Sequence, residues 1–384
     1  MEQIYLDNAA TTPMADGVVQ VITNEMKNDF GNASSTHQFG RRAREQVDAA
    51  RKIIAGAIHS QENEIVFTSG GSESNNTAIF GTAQARKNLG RHIITTKIEH
   101  PSVLNPMAKL ASLGYQITYL DVDETGHISL DQLKKALTPQ TILVSVMAVN
   151  NEVGSIMPLS EIGRIVAPTQ AYFHVDAVQG FGNLDLDVEK MKIDLLSTSA
   201  HKINGPKFLG FLYERRGIKL DNLILGGEQE LKRRAGTENV PGIAGFGEAV
   251  REMRKIDKTA LQKRYTMFQD LILSALKKQE IDFEVNGTLK EKVSHHVLNI
   301  WLKGIDTYVT LTNLDLAGFA VSGGSACTAG SLEPSHVLTA MYGSESPRLK
   351  ESIRISFGRL TKKRDVEAFA SELAAFAHKK QLKA

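Results

Sequence analysis

Short apolar runs alternate with longer amphipathic ones along most of the chain. Ile65-Val66-Phe67-Thr68, Ile93-Ile94-Thr95-Thr96 and Gln116-Ile117-Thr118-Tyr119-Leu120 read as strands. So do Thr141 through Met147, Ala171 through Val175, and Asp194 through Thr198. Between them, Val47, Ala50, Ile54, Ala57 and Ile58 follow helical spacing, and Gly70-Gly71 opens a turn into a helix from Ser72. Strands that are apolar on both faces and separated by helices predict a mostly parallel sheet covered on both sides.

The pattern changes after about Lys255. A long helical stretch runs from Lys258 to Gln279, followed by the apolar run Val297 through Leu302, a glycine-rich segment, and the strand Ser352 through Phe357; a last helix begins near Lys363. The expected organisation is a large α/β domain over residues 15–257. A smaller α+β domain is expected from residues 1–14 together with 258–384.

Composition narrows the function classes. With 384 residues and 42% hydrophobic content, the chain can bury a sizeable core. A formal net charge of +2 argues against a dedicated nucleic-acid surface. Met1 through Asp7 lacks the basic and apolar segments of a secretory signal, and no apolar run approaches the ~20 residues needed to span a bilayer. The expectation is a cytoplasmic protein without membrane or direct nucleic-acid partners. Cys327 is the single cysteine, which excludes an intrachain disulfide and any multi-cysteine metal site.

Cys327 lies in Ser322-Gly323-Gly324-Ser325-Ala326-Cys327-Thr328-Ala329-Gly330-Ser331. A buried filler thiol is normally embedded in Val, Leu or Ile; this loop composition favours a reactive thiol instead. Lys202 follows the strand ending at Ser197-Thr198, and Asp176 follows Phe173-His174-Val175. Strand ends of this kind are where open α/β sheets bind ligands. A lysine there can form a Schiff base with an aldehyde cofactor, or can be a surface lysine in a polar loop. The aspartate can hold a protonated pyridine nitrogen, or cap a turn. Gln179 stands three residues beyond it. The turn Ser69-Gly70-Gly71-Ser72 offers backbone N–H groups and a hydroxyl to a phosphate dianion, and reads equally as a glycine turn with a serine cap. His100, before Pro101, can stack on a ring or move protons, or cap a turn. Arg354 lies inside the alternating strand Ile353-Arg354-Ile355, where it faces solvent or binds a carboxylate.

Taken in order, these segments resemble the cysteine desulfurases of the NifS and IscS type, within the class V aminotransferase-like enzymes. The match runs from Tyr5-Leu6-Asp7-Asn8-Ala9-Ala10-Thr11-Thr12-Pro13 through Gly31-Asn32-Ala33-Ser34-Ser35, Phe67 to Ser74, Glu99-His100 and Asn150 to Gly154. It continues with His174 to Gln179, Ser199-Ala200-His201-Lys202, Arg234 to Asn239, and Ser325-Ala326-Cys327. The resemblance implies a fold-type I transferase that uses pyridoxal 5'-phosphate. It also implies roles. Lys202 would carry the cofactor, Asp176 would pair with its ring nitrogen, Gln179 would touch its hydroxyl, and His100 would stack on it and manage protons. Gly71, Ser72, Ser199 and His201 would bind the phosphate, with Thr237 reaching in from a second subunit of a homodimer. Asn151, Arg354 and Asn32 would hold the carboxylate of L-cysteine, Asn151 also lying against the cofactor. Cys327 would accept the sulfur as a persulfide and deliver it to an acceptor protein of iron–sulfur, thio-cofactor or tRNA-thiolation pathways. Ser72 replaces the usual Thr, which preserves the hydroxyl. Alternatives within the fold are a selenocysteine lyase or an aminotransferase; outside it, a non-catalytic sulfur carrier.

Overall fold

The computed structural model describes residues 3–323 and 334–382. Its strands in chain order are β1 (Ile4–Tyr5), β2 (Ile65–Thr68), β3 (His92–Thr96), β4 (Gln116–Leu120), β5 (Thr141–Met147), β6 (Tyr172–Asp176), β7 (Leu195–Ser197), β8 (Gly210–Glu214), β9 (Phe283–Val285), β10 (Val297–Leu302), β11 (Phe319–Ala320) and β12 (Ser352–Ser356). Seven of them form one sheet in the order β2-β8-β7-β6-β5-β3-β4. All its pairings are parallel except those of β8, which runs antiparallel to both β7 and β2.

The sheet is buried on both faces because successive side chains point to opposite sides. Ile94, Val144, Phe173, Leu196 and Phe211 face one helical layer, where Val47 and Ile54 of helix Gln38–Ala57 and Phe246 and Val250 of helix Val240–Arg254 meet them. Their immediate neighbours Ile93, Leu143, Tyr172, Leu195 and Leu212 face the other layer. There they pack against Ala78, Ile79 and Ala83 of helix Gly71–Arg86 and Val103 and Met107 of helix Pro101–Ser112.

A second core gathers around the antiparallel sheet β12-β10-β9. Leu298 and Ile300 of β10 and Ile353 and Ile355 of β12 pack with Phe268 and Ile272 of helix Lys258–Lys278 and Phe369 and Leu373 of helix Lys363–Gln381. Leu6 is buried in this second core, and β1 pairs in parallel with β11. Helix His336–Tyr342 turns the other way, placing Val337, Leu338 and Met341 in the core of the large sheet.

The hydrophobic pattern missed β8 and β9, along with the two-residue strands β1 and β11. β8 begins with a glycine required by close packing: a Cβ on Gly210 would lie 2.4 Å from the Thr198 carbonyl oxygen and 2.8 Å from the Gly70 Cα. The helix seen in the spacing of Val47 to Ile58 starts earlier, at Gln38, because its first turns carry the charged residues Arg41, Arg42 and Arg44.

Candidate active site

Strands β5, β6 and β7 end level with one another. Asp176, the last residue of β6, is paired with Met147 on one side and Ser197 on the other. The segments leaving these strand ends line a cavity of about 360 Å³ with Ala9, Ala10, Gly71, Ser72, His100, Asn151, Asp176, Gln179, Ser199, His201, Lys202, His336 and Arg354. The side chains that the sequence singled out at strand ends therefore converge on one space.

Lys202 closes a single 3₁₀ turn, Ala200–Lys202, after β7. Its Nζ donates to the carbonyl oxygens of Ala9 at 2.5 Å and Ala10 at 2.7 Å. Asp176 is buried, with Oδ1 accepting the Val178 backbone N–H at 3.0 Å and Oδ2 accepting Asn75 Nδ2 at 2.7 Å. Gln179 donates from Nε2 to the Ala9 carbonyl at 2.8 Å, and its Oε1 lies 3.2 Å from His296 Nε2. Burial pushes His296 down to about 3, with Arg354 adding to the effect, so its neutral ring donates to the Gln179 amide oxygen.

Helix Gly71–Arg86 starts against the cavity, with Gly70 at a φ of 147° that favours glycine. Gly71 has no room for a side chain, since a Cβ there would stand 2.6 Å from Val178 Cγ2. Ser72, Ser199 and His201 gather near this helix start. His201 is pushed down to about 4 by burial, helped by Lys202 and Lys207, and its Nδ1 lies 3.0 Å from Thr11 Oγ1.

Arg354 lies in the middle of β12 and is 1% exposed. Its Nη2 donates to Asp7 Oδ1 at 2.7 Å and its Nη1 to the Asn151 carbonyl at 3.0 Å. The strand is held by Ser322, whose backbone exchanges hydrogen bonds with that of Arg354. Of the alternatives open for this arginine, exposure to solvent is thus removed. His100 caps helix Pro101–Ser112 through Nδ1. Burial holds it below its ordinary pKa; Asp176 opposes that shift, while Lys202 and His336 reinforce it.

Two expected residues lie elsewhere. Asn32 is exposed, its Oδ1 accepting the Ser34 backbone N–H at 2.8 Å, and it does not line the cavity. Thr237 is exposed beside a different cavity, which also contacts Ser69, Phe208 and Arg234. Cys327 lies outside the described residues.

Sequence reasoning overlooked several groups. Asn75, three residues past Ser72 on the same helix, shared the helical spacing that could have revealed it. Ser102 sat in a His-Pro-Ser helix opening whose capping signature was legible. The Ala9 and Ala10 carbonyls had no side-chain signal at all. Glu99 is wholly buried behind His100. Its Oε1 accepts Thr96 Oγ1 at 2.8 Å and the Met147 N–H at 2.9 Å, and burial pushes its carboxyl up to about 8. Among the described residues, no helix is long and apolar enough to cross a membrane.

Chemically, the cavity offers an amine, a buried carboxylate, hydroxyls near a helix start, imidazoles and a buried guanidinium. Known proteins are similar to this chain in sequence and fold. A putative cysteine desulfurase, IscS 1, of Bacillus subtilis (strain 168) is 53% identical over 374 residues, covering 97% of this chain and 98% of the relative. The cysteine desulfurase IscS of Methanosarcina thermophila is 44% identical over 368 residues, covering 95% and 89%. Among solved structures, a NifS-like protein superposes with a TM-score of 0.90 at 33% identity, over 97% of this chain and 99% of that one. SspA in complex with cysteine superposes with a TM-score of 0.81 at 37% identity, over 92% and 98%. With these likenesses and a family match running over residues 4–369, the chain belongs to the aminotransferase class-V family.

Proposed function

We propose that the chain is a cysteine desulfurase that uses pyridoxal 5'-phosphate, takes sulfur from L-cysteine to leave L-alanine, and stores it on Cys327 as a persulfide. The observation that carries this reading is the convergence of Lys202, Asp176, His100 and Arg354 on one cavity. The donor set fits the cofactor. Lys202 would supply an amine to its aldehyde, Asp176 a carboxylate to its ring nitrogen, and Gln179 an amide to its hydroxyl. Gly71, Ser72, Ser199 and His201 would supply backbone and side-chain donors to its phosphate, and Asn151 would help hold the cofactor. When bound, pyridoxal phosphate provides an electron sink for the pair released at the substrate Cα.

The protein's own groups do the rest. Arg354 and Asn151 orient the substrate carboxylate; Asp7 shares the guanidinium and fixes its fork in place. Lys202, steered by two backbone carbonyls, removes the Cα proton. The Cys327 thiolate attacks the substrate sulfur, an S–S bond forms and the Cβ–S bond breaks. Overall Cβ gains one hydrogen and Cys327 gains one sulfur. An acceptor protein of an iron–sulfur or thiolation pathway then takes that sulfur.

The proposed assembly is a homodimer in which Thr237 of one copy completes the phosphate site of the other. Its exposure away from its own cavity supports this, as do nearby apolar side chains open to solvent: Phe208 at 79%, Leu225 at 81% and Leu231 at 69%. Asn32 would enter the substrate site only by movement of its loop. In the proposed division into residues 15–257 and residues 1–14 with 258–384, helix His336–Tyr342 is the piece of the smaller unit seated on the larger core.

The test is direct. L-cysteine is added, persulfide is trapped with an alkylating label, and the intact chain is weighed. One extra sulfur is expected on the native protein and none on Cys327→Ser. Alanine and sulfide released by Cys327→Ser at the native rate would overturn the assignment.

A further inference from the structure

His100 lines the cavity, and its Nδ1 closes a helix. Pro101, the first residue of helix Pro101–Ser112, has no backbone N–H, so Ser102 presents the first donor of that helix. This N–H points at His100 Nδ1 from 3.1 Å. The Ser102 hydroxyl lies 2.8 Å from the same nitrogen. A ring nitrogen that accepts a backbone N–H must hold its lone pair there, which leaves the proton of the neutral ring on Nε2.

The hydroxyl is itself directed from behind. Asn75 Nδ2 donates to Ser102 Oγ at 2.9 Å and to Asp176 Oδ2 at 2.7 Å. With Asn75 filling one of its lone pairs, Ser102 has its own proton to give to Nδ1. Protonating Nδ1 would turn two N–H groups against each other and undo the cap. It would also place a cation at the positive end of a twelve-residue helix. Among the charged groups facing the ring, Asp176 favours protonation, whereas Lys202 and His336 oppose it.

We infer that Ser102 and Asn75 are positioning residues that hold His100 as a neutral imidazole with its proton on Nε2, directed into the cavity. His100 then serves as a hydrogen-bond donor that keeps its proton, since surrendering it would leave an imidazolate. Proton removal from the substrate falls to Lys202. What the Nε2–H meets, the substrate sulfur, rests on the cysteine desulfurase reading; the tautomer rests on the fold alone.

The experiment is nitrogen NMR on the cofactor-loaded protein labelled with ¹⁵N-histidine, the His100 signals being identified by their loss in His100→Gln. Nδ1 should resonate as an unprotonated nitrogen and Nε2 as a protonated one from about pH 6 to about pH 8. Ser102→Ala keeps the backbone N–H, so Nδ1 should stay unprotonated, but loss of the hydroxyl should shift the Nδ1 resonance downfield and lower kcat about three- to tenfold, the equivalent of one neutral hydrogen bond, with little change in KM. Ser102→Thr, which keeps the hydroxyl, should restore both. A protonated Nδ1 in the native protein, or titration of the ring near pH 6.5, would overturn the inference. So would Ser102→Ala with native resonances and native kcat. Once the signals are assigned, the native spectrum needs no substrate. A chain that turned over no cysteine would therefore refute the functional reading and leave the tautomer result standing.

Discussion

Replacing Arg354 with methionine separates recognition from stability. The side chain is of similar length, so the main loss is the guanidinium that binds Asp7 and the Asn151 carbonyl. Removing one partner of a buried ion pair costs about 3–5 kcal/mol. Asp7 retains 17% side-chain exposure, so water relieves part of its stranded charge and places the cost at about 3 kcal/mol. Folded proteins have roughly 5–15 kcal/mol to lose, so Arg354→Met should remain folded with a lowered Tm. Recognition should fall as well. A charge-assisted hydrogen bond to the substrate carboxylate contributes about 1.5–3 kcal/mol, or roughly ten- to hundredfold in kcat/KM. The absorbance of the bound cofactor should not change. Adding Asp7→Asn removes the stranded charge and should recover about 1–2 kcal/mol of stability, without recovering kcat/KM. Denaturant unfolding and initial rates across cysteine concentrations read the two effects separately. If kcat/KM were unchanged in Arg354→Met, or returned in the double variant, the guanidinium would be structural only.

Lys202→Ala should abolish both the visible absorbance of lysine-bound cofactor and turnover; alanine release at the native rate would refute the role of that amine. Thr237→Ala should weaken cofactor retention on dialysis, and sedimentation should find a dimer, a fully active monomer being the contrary result. Glu99 carries a pH effect whose sign follows from its raised pKa of about 8. The folded state keeps this proton where the unfolded chain, near the ordinary 4.5, has lost it. Stability from this group is therefore complete below about pH 4.5 and lost as pH rises through about 8. Glu99→Gln should flatten Tm across that window, and an unaltered slope would show that Glu99 ionises normally.

The parts of the fold legible in the sequence were those with a repeating period. β2, β4, β5 and β10 lie where their apolar runs put them, and the last helix starts at Lys363 as expected. β8 escaped because it opens with a glycine and ends on a glutamate. Strand-end chemistry was legible for a similar reason: Asp176, Lys202 and His100 each follow an apolar run, and a parallel sheet collects such ends along one edge. The overlooked groups obey a different logic. The carbonyls that steer Lys202 belong to two alanines, and no residue type advertises an acceptor that every peptide bond possesses. Thr237 stands apart for another reason: under the proposed assembly it would serve another copy, which the pattern of its own chain cannot locate.

The segment Ile4 to Ala10 has a consequence for how the protein is made. It leaves the ribosome long before its partners do: β1 pairs with Phe319–Ala320, and Asp7 meets Arg354 across 347 positions. Ala9 and Ala10 reach Lys202 across about half of the chain. During synthesis the large sheet can close while this strand end waits unpaired, and its edge must be kept from other chains throughout. Competence for catalysis should thus appear in one late step, when residues near 350 emerge and draw the beginning of the chain into place.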